Sequence, residues 1–278
     1  MTIMKPNFLF IGPDKTGSTW LHRVLLQHPD CYVPSCKDIY FFDRYYDRGM
    51  EWYLSFFRNA PSNVKVLGEL SHDYLFSDAA AERIASELPG VKLISSLRDP
   101  AERSFSHYLY MVRSGRTRDS FENALTKFPE LIDKSLYHKH LSRYFARFDR
   151  SQMGIFFFED LKADPERFAR TIFEFLDLAF LDNIDRNNTV LPASRPRSFI
   201  LARIAKIGAN ISRDMGLTTL VGTIKYSFLA KLLYRNYSED NRPQLDPEVR
   251  LTLLKLFEPD IRRLQDLLQK DLSHWFAA

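Results

Sequence analysis

Short apolar runs alternate along the chain with stretches in which apolar residues return every three or four positions. NFLFIG (7–12), VKVLGEL (64–70), VKLISSL (91–97) and GIFFFED (154–160) are of the first kind. Their length and their aliphatic and aromatic content predict strands buried in a sheet. Between them lie helical patterns. STWLHRVLLQH (18–28) repeats Trp20, Leu21, Val24 and Leu25 on one face and stops at Pro29. DAAAERIASEL (78–88), PAERSFSHYLYMVRSG (100–115), a stretch over 134–147 and ADPERFARTIFEFLDL (163–178) predict further helices, the last with Pro165 at its start. Strands alternating with helices predict an α/β fold, a central, mostly parallel β-sheet flanked by helices. Residues 199–233 carry two apolar stripes at helical spacing, and 246–268 reads as a long helix interrupted near Pro259. No internal repeat or low-complexity tract is present.

Composition changes this picture little. The 278 residues are 45% hydrophobic and 27% charged, which suits one globular domain over 1–278. The net charge of +4 is too small to name a nucleic-acid partner. Its distribution is uneven: residues 195–235 hold eight Lys/Arg and one acid, +7, which leaves about −3 for the rest. This basic helical segment is expected to cover the core beside the active site, with peripheral membrane contact as an alternative. Cys31 and Cys36 form no C-x-x-C motif and read as free thiols in a reducing compartment. No signal peptide or spanning segment is evident, so a cytoplasmic setting is expected.

The chemistry begins at GPDKTGSTW (12–20). A glycine-bearing turn between a strand and a helix aims backbone N–H groups and the positive helix end at an anion. A Walker loop places its lysine directly after the second glycine. Here Ser18 holds that slot, and Lys15 sits inside the loop. At the end of the 91–97 strand, Arg98 precedes Asp99 and Pro100. An arginine there suits direct pairing with a phosphate, and Asp99 reads as the cap of the following helix. Ser106, eight residues after Arg98, follows about two helical turns on.

These two motifs resemble those of sulfotransferases that use 3′-phosphoadenosine 5′-phosphosulfate (PAPS). Lys15-Thr16-Gly17-Ser18-Thr19, extended by Trp20, matches the family's 5′-phosphosulfate loop. Arg98-Asp99-Pro100 with Ser106 matches its 3′-phosphate motif. KDIYFFDRYYDRGMEWYLSFF (37–57), the stretch from 135 to 178 and His274-Trp275 resemble the carbohydrate, heparan-sulfate-like branch. The resemblance implies a P-loop-like fold, PAPS as co-substrate and no metal requirement. It also implies sulfuryl transfer to a hydroxyl of a carbohydrate or of a glycosylated, lipid or polyketide small molecule.

Lys15 is the expected stabiliser of the departing phosphate. Two candidates stand for the base. Asp38 occupies the position of the carbohydrate branch's catalytic glutamate, one methylene shorter. His72 follows the second strand, where the small-molecule branch carries a catalytic histidine, and imidazole is a natural base near pH 7. Leu70 stands where the carbohydrate branch often has lysine. Glu69, Asp43 and Tyr137 are expected around the acceptor, and Arg195 and Arg197 of SRPRS (194–198) on the 3′-phosphate side. A P-loop kinase or NTPase and a non-enzymatic adaptor for anionic surfaces are the competing readings. Oligomeric state is not legible.

Overall fold

The computed structural model describes residues 4–186, 194–215 and 233–276. They fall into two compact units, one of residues 1–98 with 139–190, the other of 99–138 with 191–278.

The first unit is built on a five-stranded sheet. In chain order it contains β1 (Phe8–Gly12), α1 (Ser18–Leu26), β2 (Cys31–Tyr32), α2 (Gly49–Leu54), β3 (Val66–Leu70), α3 (Asp78–Glu87) and β4 (Lys92–Leu97). The strand order is β2-β3-β1-β4-β5, where β5 is Met153–Phe157, and every pairing is parallel. Phe8 pairs with Gly68 on one side and Lys92 on the other, so β1 is central. All residues of β1 and β3 are buried, as a sheet covered on both faces requires. One core cluster packs Phe10, Trp20, Val24 and Leu25 with Phe168, Ile172 and Phe173.

Two sequence expectations shift here. The run 154–160 leaves the sheet early: β5 ends at Phe157, and Phe158 starts a short helix, Phe158–Ala163. The two-residue β2 was not predicted, because two residues show no periodicity. The helix expected over 134–147 is Tyr137–Phe145, preceded by a separate turn of helix at Glu130–Asp133.

The second unit holds α4 (Pro100–Arg113), a helix at Phe199–Asp214 and the long helix Pro247–Leu268. An antiparallel ribbon of Ser194–Pro196 with Tyr234–Asn236 joins them. The long helix is continuous through Pro259. Leu253, Leu254 and Phe257 before the proline and Ile261 and Leu264 after it form one buried stripe, while Pro259 is exposed, so the lost backbone bond falls on the solvent side. The basic segment departs further from expectation. In Phe199–Asp214 it is Ala202 that is buried and Lys206 that donates to Tyr110, at 3.2 Å. Ile200, Ile204, Ile207 and Ile211 are half or more exposed rather than core. The second stripe of that segment lies outside the described residues.

Candidate active site

The loop between β1 and α1 is shaped by glycine at both ends and clamped by hydroxyls from β4. Gly12 has φ 128°, and a Cβ there would lie 2.2 Å from the carbonyl oxygen of His72. Gly17 caps α1 with φ 91°, and a Cβ there would meet Leu161 at 2.7 Å. Between them the Ser95 hydroxyl donates to Gly12 O at 2.8 Å and the Ser96 hydroxyl to Thr16 O at 2.9 Å. Thr16 closes the turn by donating to Pro13 O at 2.8 Å. Lys15 sits in the left-handed region, φ 70°, where a non-glycine residue is uncommon. No acidic residue occupies the first turn of α1, and no side chain caps it, so its N-terminal N–H groups suit an anion. Gly12→Ala is expected to lose roughly 2–3 kcal/mol, read by urea denaturation, because both the φ and the His72 carbonyl must shift.

Lys37 lies beside the loop. Its ammonium donates to Ser18 Oγ at 2.7 Å and reaches Thr19 Oγ1 at 3.4 Å. Burial pulls Lys37 below the ordinary lysine range, while the carboxylates of Asp38 and Asp14 oppose that. Arg98, buried at the end of β4, stacks its guanidinium 5.0 Å over Phe158, whose ring also packs near Gly17. Trp20 is buried against Phe168, and its indole N–H donates to Arg186 O at 2.8 Å. Trp20 therefore anchors α1 from behind.

The two candidate bases are partners. His72 Nδ1 and Asp38 Oδ1 are 2.7 Å apart, and Tyr40 Oη lies 3.1 Å from His72 Nε2. In the neutral imidazole the carboxylate favours the tautomer in which Nδ1 donates to Asp38 and Nε2 carries the lone pair. The carbonyl of His72 abuts Gly12, which brings the pair to the start of the loop. Nearby, Arg44 bridges Asp73 and, at 3.3 Å, Asp43. Burial pushes Asp43 up to about 6 despite Arg44, and its Oδ1 is buried without a hydrogen-bond partner among the described residues.

Other expected site residues sit differently. Glu69 is 1% exposed and accepts from Ser71 at 2.7 Å and Tyr74 at 2.6 Å, so it offers an acceptor molecule no surface. Tyr137 is fully buried in the second unit, 6.1 Å from the ring of Trp275, and lines no cleft. Both were expected around the acceptor because sequence spacing shows nearness to a motif but not depth. Ser106 is half-buried on α4, and Arg195 and Arg197 are exposed at the ribbon, all in the second unit. Asp99 caps α4, accepting from the N–H groups of Ala101 and Glu102 at 2.9 and 3.0 Å. Sequence reading passed over Lys37, Tyr40, Ser95 and Ser96 as site residues. Lys37 had a signal: it is the lysine that opens the quoted 37–57 segment. The serine pair at the end of β4 had none.

The sulfotransferase domain matches residues 5–199, a span that includes the loop, the Asp38–His72 pair and Arg98. The chain belongs to the sulfotransferase family. It is 35% identical over 194 residues to the bifunctional heparan sulfate N-deacetylase/N-sulfotransferase 4 of Mus musculus, covering 62% of this chain and 22% of that protein. It is 36% identical over 136 residues to the membrane-associated sulfotransferase kil1 of Dictyostelium discoideum, covering 46% of this chain and 29% of that one. The chain thus spans under a third of the length of these two relatives. A sulfotransferase from Alicyclobacillus acidocaldarius superposes with a TM-score of 0.74 at 25% identity, covering 99% of this chain and 100% of that one. The parallel sheet with flanking helices is therefore the sulfotransferase fold. Among the described residues no helix is long and apolar enough to cross a membrane, and no three His, Cys, Asp or Glu side chains cluster as metal ligands.

Proposed function

We propose that this sulfotransferase moves the sulfuryl group of PAPS to a hydroxyl of a carbohydrate acceptor. The observation that carries the reading is the Asp38–His72 pair set against a loop that presents Lys15 and is flanked by Lys37. The residues fit the donor: a helix N-terminus without a capping side chain, two lysines and a strand-end arginine suit a ligand with several anionic groups. When bound, PAPS supplies the sulfuryl group and an anionic leaving phosphate. Backbone N–H groups of residues 16–19, with Ser18, Thr19 and Lys37, would hold its 5′ end, and Arg98 would pair with its 3′-phosphate. Lys15 would place positive charge where the leaving oxygen gains negative charge. His72 Nε2 would take the acceptor proton, directly or through Tyr40 Oη, while Asp38 holds the imidazole in the productive tautomer.

The N-sulfotransferase names of the mammalian relatives favour a second acceptor group, an amine on a sugar. We place the chemistry in a reducing compartment, in keeping with the buried free thiols of Cys31 and Cys36, and take 1–278 as a single catalytic domain. Thermal shift tests the donor assignment. Adenosine 3′,5′-bisphosphate at about 100 times its Kd is expected to add ~2.7 kcal/mol of stability without Mg²⁺. Stabilisation by Mg-ATP alone would sink the assignment. Transfer of ³⁵S from labelled donor to an oligosaccharide with free or blocked amino groups then separates hydroxyl from amine.

A further inference from the structure

We propose that Glu69 is a positioning residue that, through Ser71 and Tyr74, clamps the backbone carrying Asp38 and Tyr40 against the donor loop. The inference rests on the role given above to the Asp38–His72 pair. Asp38 and Tyr40 both have positive φ, 65° and 56°. Two such residues within three positions cost about 1–3 kcal/mol each and persist only where surroundings over-determine them. The surroundings are visible. Asp38 N–H donates to Leu70 O at 2.8 Å, Tyr40 N–H to Ser71 Oγ at 3.0 Å, and Phe41 N–H to Tyr74 Oη at 2.9 Å.

The last two acceptors are hydroxyls, and a hydroxyl has one proton. Each gives it to Glu69: Ser71 to Oε2 at 2.7 Å, Tyr74 to Oε1 at 2.6 Å. With both protons committed to the carboxylate, the lone pairs of both hydroxyls turn to the backbone N–H groups of 40 and 41. A carboxylate suits this relay because it accepts on both oxygens and donates nothing. An amide offers one acceptor, so one hydroxyl would face a donor on each side. Placing a carboxyl here is costly. Burial pushes Glu69 up to about 8, the two hydroxyls pull against that, and the carboxylates of Asp38 and Asp43 push the same way as burial. The relay therefore holds both hydroxyl protons in the ionised form, above that pH, and below it the carboxyl's own proton displaces one of them. Buried Tyr53 also faces it. Among the described residues its partners are hydroxyls rather than a cation, and an apolar side chain would pack more cheaply unless the acid is needed.

Glu69→Gln, Ser71→Ala and Tyr74→Phe in the full chain test the relay. Assayed above about pH 8, where Glu69 is ionised, Glu69→Gln is expected to lower kcat about 10–10²-fold, the cost of a misplacement near 1 Å or less. KM for the donor and the thermal shift with adenosine 3′,5′-bisphosphate should stay within about twofold, since no relay member touches the donor loop residues. Ser71→Ala and Tyr74→Phe should each cost part of that loss, and neither should add to Glu69→Gln. Hydrogen exchange at the amides of Tyr40 and Phe41 should accelerate selectively in all three variants. Unchanged exchange at these two amides, or equal loss of kcat and nucleotide binding, overturns the proposal. If Glu69→Gln does not fold, Ser71→Ala decides by the same two readouts. If the wild-type protein transfers no sulfuryl group but exchange still responds, the functional reading fails while the clamp stands.

Discussion

Lys15→Ala is expected to lower kcat by about 10²–10³-fold, comparable to removing one preorganised donor from a site of developing charge. The expectation comes from how the lysine is held. It has φ 70° within a loop whose two ends, Gly12 and Thr16, are tied to Ser95 and Ser96 of β4. The backbone cannot relax without breaking buried hydrogen bonds, so the point from which the Lys15 side chain leaves the loop is fixed before substrate arrives. Donor affinity should fall much less, because the helix N-terminus, Lys37 and Arg98 remain to hold a ground-state anion. The result should therefore appear as a fall in kcat with a small change in the Kd of adenosine 3′,5′-bisphosphate. Lys15→Arg should rescue poorly, since a planar fork replaces a compact charge in a half-buried turn. A Lys15→Ala enzyme within about threefold of wild-type kcat would remove Lys15 from any transition-state role.

Much of this site could be read along the chain, and what could not has a physical reason. The strand–loop–helix order, the glycines at 12 and 17 and the Asp99 cap are local features, set by residues a few positions apart, and they stand where the sequence placed them. The fold class followed from buried apolar runs, which need no knowledge of partners. Depth was not legible. Glu69 and Tyr137 sit next to motifs in sequence, yet one is enclosed by Ser71 and Tyr74 and the other by the core of the second unit. The apolar stripe from Ile200 to Ile211 had the periodicity of a core helix and turned outward instead, because periodicity reports that one face differs, not which face is covered. The pairing of Asp38 with His72, 34 residues apart, depends on β3 carrying His72 back beside the strained 38–40 turn. Sequence reading set the two up as rivals for one task; at 2.7 Å they are hydrogen-bond partners, and the proposed mechanism gives each a different part of it.

That division predicts a non-additive pair of losses. His72→Ala should lower kcat by about 10²–10⁴-fold, the range of a positioned proton acceptor. Asp38→Asn should cost a comparable amount without touching the acceptor. Its amide can present N–H to Nδ1, which favours the tautomer with the proton on Nε2 and removes the lone pair that must accept. The double variant should then be no slower than His72→Ala alone, because once the imidazole is gone its orienting carboxylate has nothing to orient. If Asp38 were instead an independent base, His72→Ala would keep most activity, and the losses from the two substitutions would multiply. Tyr40→Phe separates the proton's two routes: retention of activity means the acceptor reaches Nε2 directly, and a loss approaching that of His72→Ala means the phenol 3.1 Å away relays the proton. The same four proteins should bind adenosine 3′,5′-bisphosphate alike, since neither Asp38 nor His72 contributes a donor to the loop. Parallel losses of kcat and nucleotide binding would assign the pair to folding of the 38–40 turn rather than to the proton.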